Sequence, residues 1–116
     1  GQGLHPTRWS VTGLLHRDRQ GHPGVSVAVT ESVWRDIEKS ISDPKFGNDL
    51  GGVVWDVLWM CREPLFRAIK QKKVQVNFQV IITGISRRTL QNYKVVASVC
   101  DDGVRPALTI MMPEED

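Results

Sequence analysis

Few side chains in this sequence stand where reaction chemistry would need them. Cys61 and Cys100 are its two thiols. Cys61 falls on an apolar helical stripe, the usual setting of an inert thiol. Cys100 precedes Asp101 and Asp102, whose charge raises a thiol pKa and weakens the nucleophile. Asp56 is the one acid inside an apolar run. Buried there it would be a shifted general base; the plainer reading is a solvated or arginine-paired carboxylate on a helix flank. His16 and His22 have no third ligand at metal-site spacing, so no metal is expected. Gly51-Gly52 lacks the lysine of a phosphate loop and follows no strand. The sequence therefore predicts no cofactor, and a small enzyme using Asp56 or a cysteine is the third of three readings.

Binding chemistry is better represented. On a helical wheel Trp55 and Trp59 lie about 40° apart, on a flank shared with Asp56, Arg62 and Glu63. Interfaces favour Trp and Arg, so this flank is a candidate docking patch. The competing expectation is that another element, with Trp9 as a neighbour, covers both indoles, because monomers rarely expose large apolar patches. The basic residues Arg62, Arg67, Lys70, Lys72, Lys73, Arg87 and Arg88 form the second candidate. Arg62, Lys70 and Lys73 can share a flank and Arg87-Arg88 can extend it, which would suit a phosphate backbone or an acidic protein surface. The alternative is a solvated face whose lysines complement a helix C-terminus.

The element that carries most of these residues is a helix predicted over Asp49–Glu63. Leu50, Val53, Val54, Val57, Leu58 and Cys61 recur at helical spacing, and Asn48 or Asp49 can cap the start. Pro64 lacks an N–H and clashes with the carbonyl of Met60, so the helix is expected to end or kink near Glu63, with a short second piece over Leu65–Gln71. A first helix is predicted over Glu31–Ile41, capped by the Thr30 hydroxyl, with Val33, Trp34, Ile37 and Ile41 as its stripe. Ser42–Asn48 reads as a loop.

Strand patterns flank the helices. Trp9–His16 is a possible short strand weakened by Gly13, Arg17–Gly24 a turn region, and Val25–Thr30 a clear alternating strand. From Val74 to Ile82, Val74, Val76, Phe78, Val80 and Ile82 alternate with Gln75, Asn77 and Gln79, one buried face and one wet. Thr83–Asn92 is a connection, Tyr93–Cys100 the next strand, Asp101–Val104 a tight turn and Ala107–Met112 the last strand, with Pro106 at its start. Glu114, Glu115 and Asp116 read as an acidic tail. The fold class is thus α+β: an antiparallel sheet, made of a C-terminal three-stranded meander plus the N-terminal strand or strands, with two helices packed on one face.

A chain of 116 residues is one domain, expected as a flexible tail over residues 1–8 and a single domain over 9–116. A net charge of +2 leaves nucleic-acid binding possible without arguing for it. No signal peptide or transmembrane-length run is apparent, and two distant cysteines do not make a disulfide framework, so the expectation is a reduced, cytoplasmic protein with no membrane partner. The oligomeric state is open.

Three segments, VAVTESVW (Val27–Trp34), WDVLWM (Trp55–Met60) and LTIMMPEED (Leu108–Asp116), carry a resemblance. They resemble a family of small uncharacterised proteins, a domain of unknown function, found on bacterial plasmids, phages and other mobile elements. The likeness spans roughly residues 13–116 and departs at Arg17–Gly24, which is shorter here. It brings no catalytic residue with it. It implies a bacterial or phage setting and an accessory or host-directed role rather than metabolism. The leading expectation is a module that binds a protein or other macromolecule, with inhibition of a host defence system as one form of that role. A nucleic-acid-binding accessory protein is second.

Overall fold

The computed structural model describes residues 8–11, 25–99 and 106–115. In chain order these form β1 (Arg8–Val11), β2 (Val25–Val29), α1 (Glu31–Ser42), a 3-10 turn (Pro44–Phe46), α2 (Leu50–Lys70), β3 (Gln75–Ile81), β4 (Leu90–Val99) and β5 (Pro106–Met111). Arg8, placed by the sequence in a tail, opens β1 and pairs with Ala28. The predicted turns at Arg17–Gly24 and Asp101–Val104, and Cys100, lie outside the described residues.

The strands make one five-stranded sheet in the order β1-β2-β5-β4-β3. β3, β4 and β5 form the antiparallel meander read from the sequence. The sheet as a whole is mixed, not antiparallel, because β2 and β5 run parallel, with Val27 opposite Leu108 and Val29 opposite Ile110. Thr30 N–H donates to the Ile110 carbonyl at 3.0 Å and extends that ladder. A parallel pair needs a long crossover, and everything between β2 and β5 supplies it. Hydrophobic alternation reports which face a residue lies on, not the direction of its neighbour. It therefore cannot distinguish the two arrangements.

The core unites both helices with one side of the strands. Val33 and Ile37 of α1, and Val53, Val57, Leu58, Cys61 and Leu65 of α2, cluster with Val27, Val29, Phe78, Val80, Tyr93, Val95, Leu108 and Ile110. Gln75, Asn77 and Gln79 are exposed, as their alternation with Val76, Phe78 and Val80 requires. β4 begins at Leu90 rather than Tyr93, because Leu90, Gln91 and Asn92 pair with Ile81, Val80 and Gln79.

Pro64 does not end α2, which runs unbroken through it to Lys70. A proline inside a helix costs about 3 kcal/mol. Beyond it Leu65 and Ala68 are buried; a fully buried leucine contributes about 1.5–3 kcal/mol, and with the buried alanine it offsets most of that cost. The end is then sharp. Lys72 takes positive φ (61°), Lys72 N–H bonds the Ile69 carbonyl and Lys73 N–H the Ala68 carbonyl. This closing motif satisfies the last helical carbonyls and turns the chain back, so β3 returns alongside α2.

The Thr30 hydroxyl makes no cap to a first-turn N–H. It donates instead to Glu115 Oε2 at 2.8 Å, and the Met112 N–H donates to the same oxygen at 2.6 Å. Lys94, buried on the opposite side of β4 from Tyr93 and Val95, donates its ammonium to the Glu115 carbonyl. Glu115 is thus part of the fold rather than of a solvated tail. The Met112 N–H, then the Thr30 hydroxyl, with smaller help from the Ser32 hydroxyl and the Lys94 charge, hold its carboxyl below the usual range near 4.5. A depressed carboxyl pKa stabilises the fold above the unfolded value, and that stability is lost as pH falls through the folded one. Glu115→Gln should therefore flatten the acid limb of stability below about pH 4.5, as measured by urea midpoints at stepped pH. An unchanged limb would show that the carboxylate does not stabilise the fold.

Candidate functional site on the exposed flank of α2

α2 is capped by Asp49, whose Oδ1 accepts the Gly52 N–H at 2.8 Å. Asp49, not Asn48, is therefore the cap. The Asn48 side chain instead ties the Ser40 carbonyl to the carbonyl and hydroxyl of Thr83, which fixes the start of α2 between α1 and the β3–β4 connection. With the buried stripe turned to the sheet, the opposite flank faces water. Trp55 is 45% exposed and Trp59 52%. Both indoles are about half exposed, and the Trp9 side chain, the expected cover, lies outside the described residues.

They are nonetheless ordered against each other. The two rings stack with centroids 5.9 Å apart and planes 25° from parallel. The Arg62 guanidinium lies 5.4 Å from the Trp59 ring centre and 4.9 Å from that of Phe66. Trp55, Trp59, Arg62 and Phe66 follow one another at four, three and four residues, so they form a single ridge along the helix. Each cation–π contact at an exposed site contributes roughly 0.5–1 kcal/mol, and together they hold large side chains in defined positions. The sequence reading missed Phe66, although its spacing from Arg62 was the available signal. The break expected at Pro64 places Phe66 in a separate segment.

The basic residues are not brought into one patch. Lys70 ends α2 and Lys73 precedes β3, while Arg87 and Arg88 follow β3 in its connection to β4. Seven strand residues at about 3.3 Å each set the two groups roughly 23 Å apart. Arg88 is anchored by its backbone, with its N–H on Ser86 Oγ at 3.2 Å and its carbonyl receiving Gln91 Nε2 at 2.8 Å. Arg67 pairs with Glu63 at 2.7 Å on the exposed side of α2, a contact of at most a few tenths of a kcal/mol.

Between the second half of α2 and β3 runs an open groove of about 660 Å³, lined by Trp59, Met60, Pro64, Lys73, Val76 and Gln79 among others. The sequence did not anticipate it, because it depends on α2 continuing past Pro64.

The candidate catalytic groups are not gathered into it. Asp56 is exposed and does not line the groove. Cys61 is 0% exposed, and burial pushes its thiol up to about 12. Its S–H donates to the Leu58 carbonyl at 3.2 Å. His16 and His22 lie outside the described residues, and among the described residues no group of three ligating side chains could hold a metal. Among the same residues no helix is long and apolar enough to cross a membrane.

No protein-family model, curated protein or solved structure matches the chain.

Proposed function

We propose that this chain is a protein-binding module that docks through the Trp55–Trp59–Arg62–Phe66 ridge. It would serve as an accessory protein of a bacterial mobile element that occupies a surface of a host or element-encoded macromolecule. Blocking a host defence component is the form of this role that the sequence resemblance favours, and a cytoplasmic site of action goes with it. The observation that carries the reading is the pair of stacked, half-exposed indoles with an arginine laid between aromatic faces. Exposed Trp and Arg held in place before contact lower the ordering cost of binding, and such residues supply most of the energy in known interfaces. The runner-up, a nucleic-acid-binding accessory role, needs a continuous basic track, and the separation of Lys73 from Arg87 works against one.

The test is quantitative capture from bacterial lysate by the wild-type chain and by Trp59→Ala and Arg62→Ala, followed by affinity measurement on the retained protein. Trp59→Ala should weaken binding by about 2 kcal/mol or more, roughly thirtyfold in Kd. Arg62→Ala should weaken it too, with far-ultraviolet circular dichroism unchanged. A partner held equally by both variants would sink the ridge as its docking face, and capture of nucleic acid with steep salt dependence would favour the runner-up.

A further inference from the structure

Among the described residues β3 is the last strand of the sheet and pairs only with β4. Two hydrogen bonds establish which of its residues face which way. Ala97 N–H donates to the Val74 carbonyl at 2.7 Å and Ile82 N–H to the Thr89 carbonyl at 2.8 Å. In an antiparallel ladder, backbone groups of alternate residues point to opposite sides. Val74, Val76, Phe78, Val80 and Ile82 therefore bond towards β4. Gln75, Asn77, Gln79 and Ile81 present their N–H and C=O groups to the open edge. Edge strands are normally shielded by charges, proline or a bulge. Gln75–Ile81 contains neither a charge nor a proline and pairs residue for residue with β4. The ends of this edge are apolar and open, with Val74 63% and Ile81 67% exposed.

We propose that this edge accepts an extended segment of another polypeptide as a sixth strand, with alternate apolar side chains entering the groove beside α2 and an acidic residue opposite Lys73. The groove supplies the specificity that backbone pairing lacks. Its volume, about 660 Å³, falls within the range of about 300–1,000 Å³ usual for ligand clefts. Trp59, Met60, Pro64 and Val76 offer apolar contact to every second side chain of an added strand. Glu63 and Arg67 neutralise each other, whereas Lys73 has no ion-pair partner among the described residues. The local charge is therefore positive, and it sits at the β3 end that follows α2. A second copy of the chain fits less well. Its β3 already turns Phe78 and Val80 into its own core, so those side chains cannot fill a neighbour's groove. The strand edge and its groove share only Trp59 with the aromatic ridge.

The test selects peptides from a displayed random library on the full chain, then measures amide hydrogen exchange with and without a selected synthetic peptide. The amides of Gln75, Asn77, Gln79 and Ile81 should exchange fast in the chain alone and slow by about a hundredfold or more when the peptide is bound. Those of Val76, Phe78 and Val80 should be slow in both. Selected sequences should alternate apolar residues and carry an acid. Asn77→Pro removes an outward N–H and no β4 bond, so it should leave the fold intact and weaken the peptide about tenfold or more. N-methylation of alternate peptide amides should do the same with the protein unaltered. Failure to select any peptide would overturn the proposal. So would peptides that leave the four amides unprotected or survive peptide N-methylation. Concentration-dependent dimerisation with those amides already protected would assign the edge to a second copy instead.

Discussion

Leu65→Ala is expected to destabilise the fold by about 2–5 kcal/mol, the range for truncating a buried leucine. Leu65 is 0% exposed within the cluster that joins α2 to the sheet. Domains of this size are stable by about 5–15 kcal/mol, so the loss is a large share of the total. Its position adds a second effect. Leu65 follows Pro64 directly, and its burial offsets the helical break. Without it, the turns from residue 65 to Lys70 should fray, the reversal at Lys72 should loosen and the groove should open. Urea unfolding gives the energy and amide exchange over residues 66–70 gives the fraying. A loss below about 1 kcal/mol, with those amides still protected, would show that the second half of α2 stands by other means.

Pro64→Ala is expected to act in the opposite direction, raising stability by about 1–3 kcal/mol. Alanine restores an N–H for the Met60 carbonyl and removes the ring clash, which together account for about 3 kcal/mol in a helix interior. The gain is reduced because proline also restricts the unfolded chain. The same change should recover part of the Leu65→Ala loss, since both act on the same helical turns and neighbouring substitutions are not additive. A thermal midpoint that falls in Pro64→Ala would mean that the proline ring packs well enough to outweigh its backbone cost. Pro64 also forms part of the groove wall, so the substitution tests whether that wall needs a rigid residue.

Much of this architecture was legible where one physical signal dominated. The alternation of Val76, Phe78 and Val80 with Gln75, Asn77 and Gln79 reported a strand and its faces, because side-chain direction in a strand has a period of two. The apolar spacing from Val53 to Cys61 reported the buried side of α2, and the same wheel placed Trp55, Trp59 and Arg62 together on the other. Long-range terms were not legible. Proline's helix-breaking tendency is local, and the burial of Leu65 and Ala68 that overrides it depends on a sheet assembled from distant segments. The parallel pairing of β2 with β5 has no local signature either. Glu115 looked like part of a solvated acidic run, since nothing near it in sequence announces Thr30 or Lys94. The separation of Lys73 from Arg87 became visible only with β3 laid between them.

The position of β5 has a consequence for how the chain is made. It is the last of the described strands in chain order, yet it lies between β2 and β4 and joins the two halves of the sheet. Until it emerges from the ribosome, β1–β2 and β3–β4 are separate two-stranded ribbons, a size that is marginal in water on its own. The inner edges of β2 and β4 then have no central strand to pair with. Until then the nascent chain carries its apolar strands uncompleted, which suits capture by holding chaperones. Its sheet closes only after residues 106–111 leave the exit tunnel, so a translation arrest before that point yields a product with no centre rather than a shortened version of the same fold.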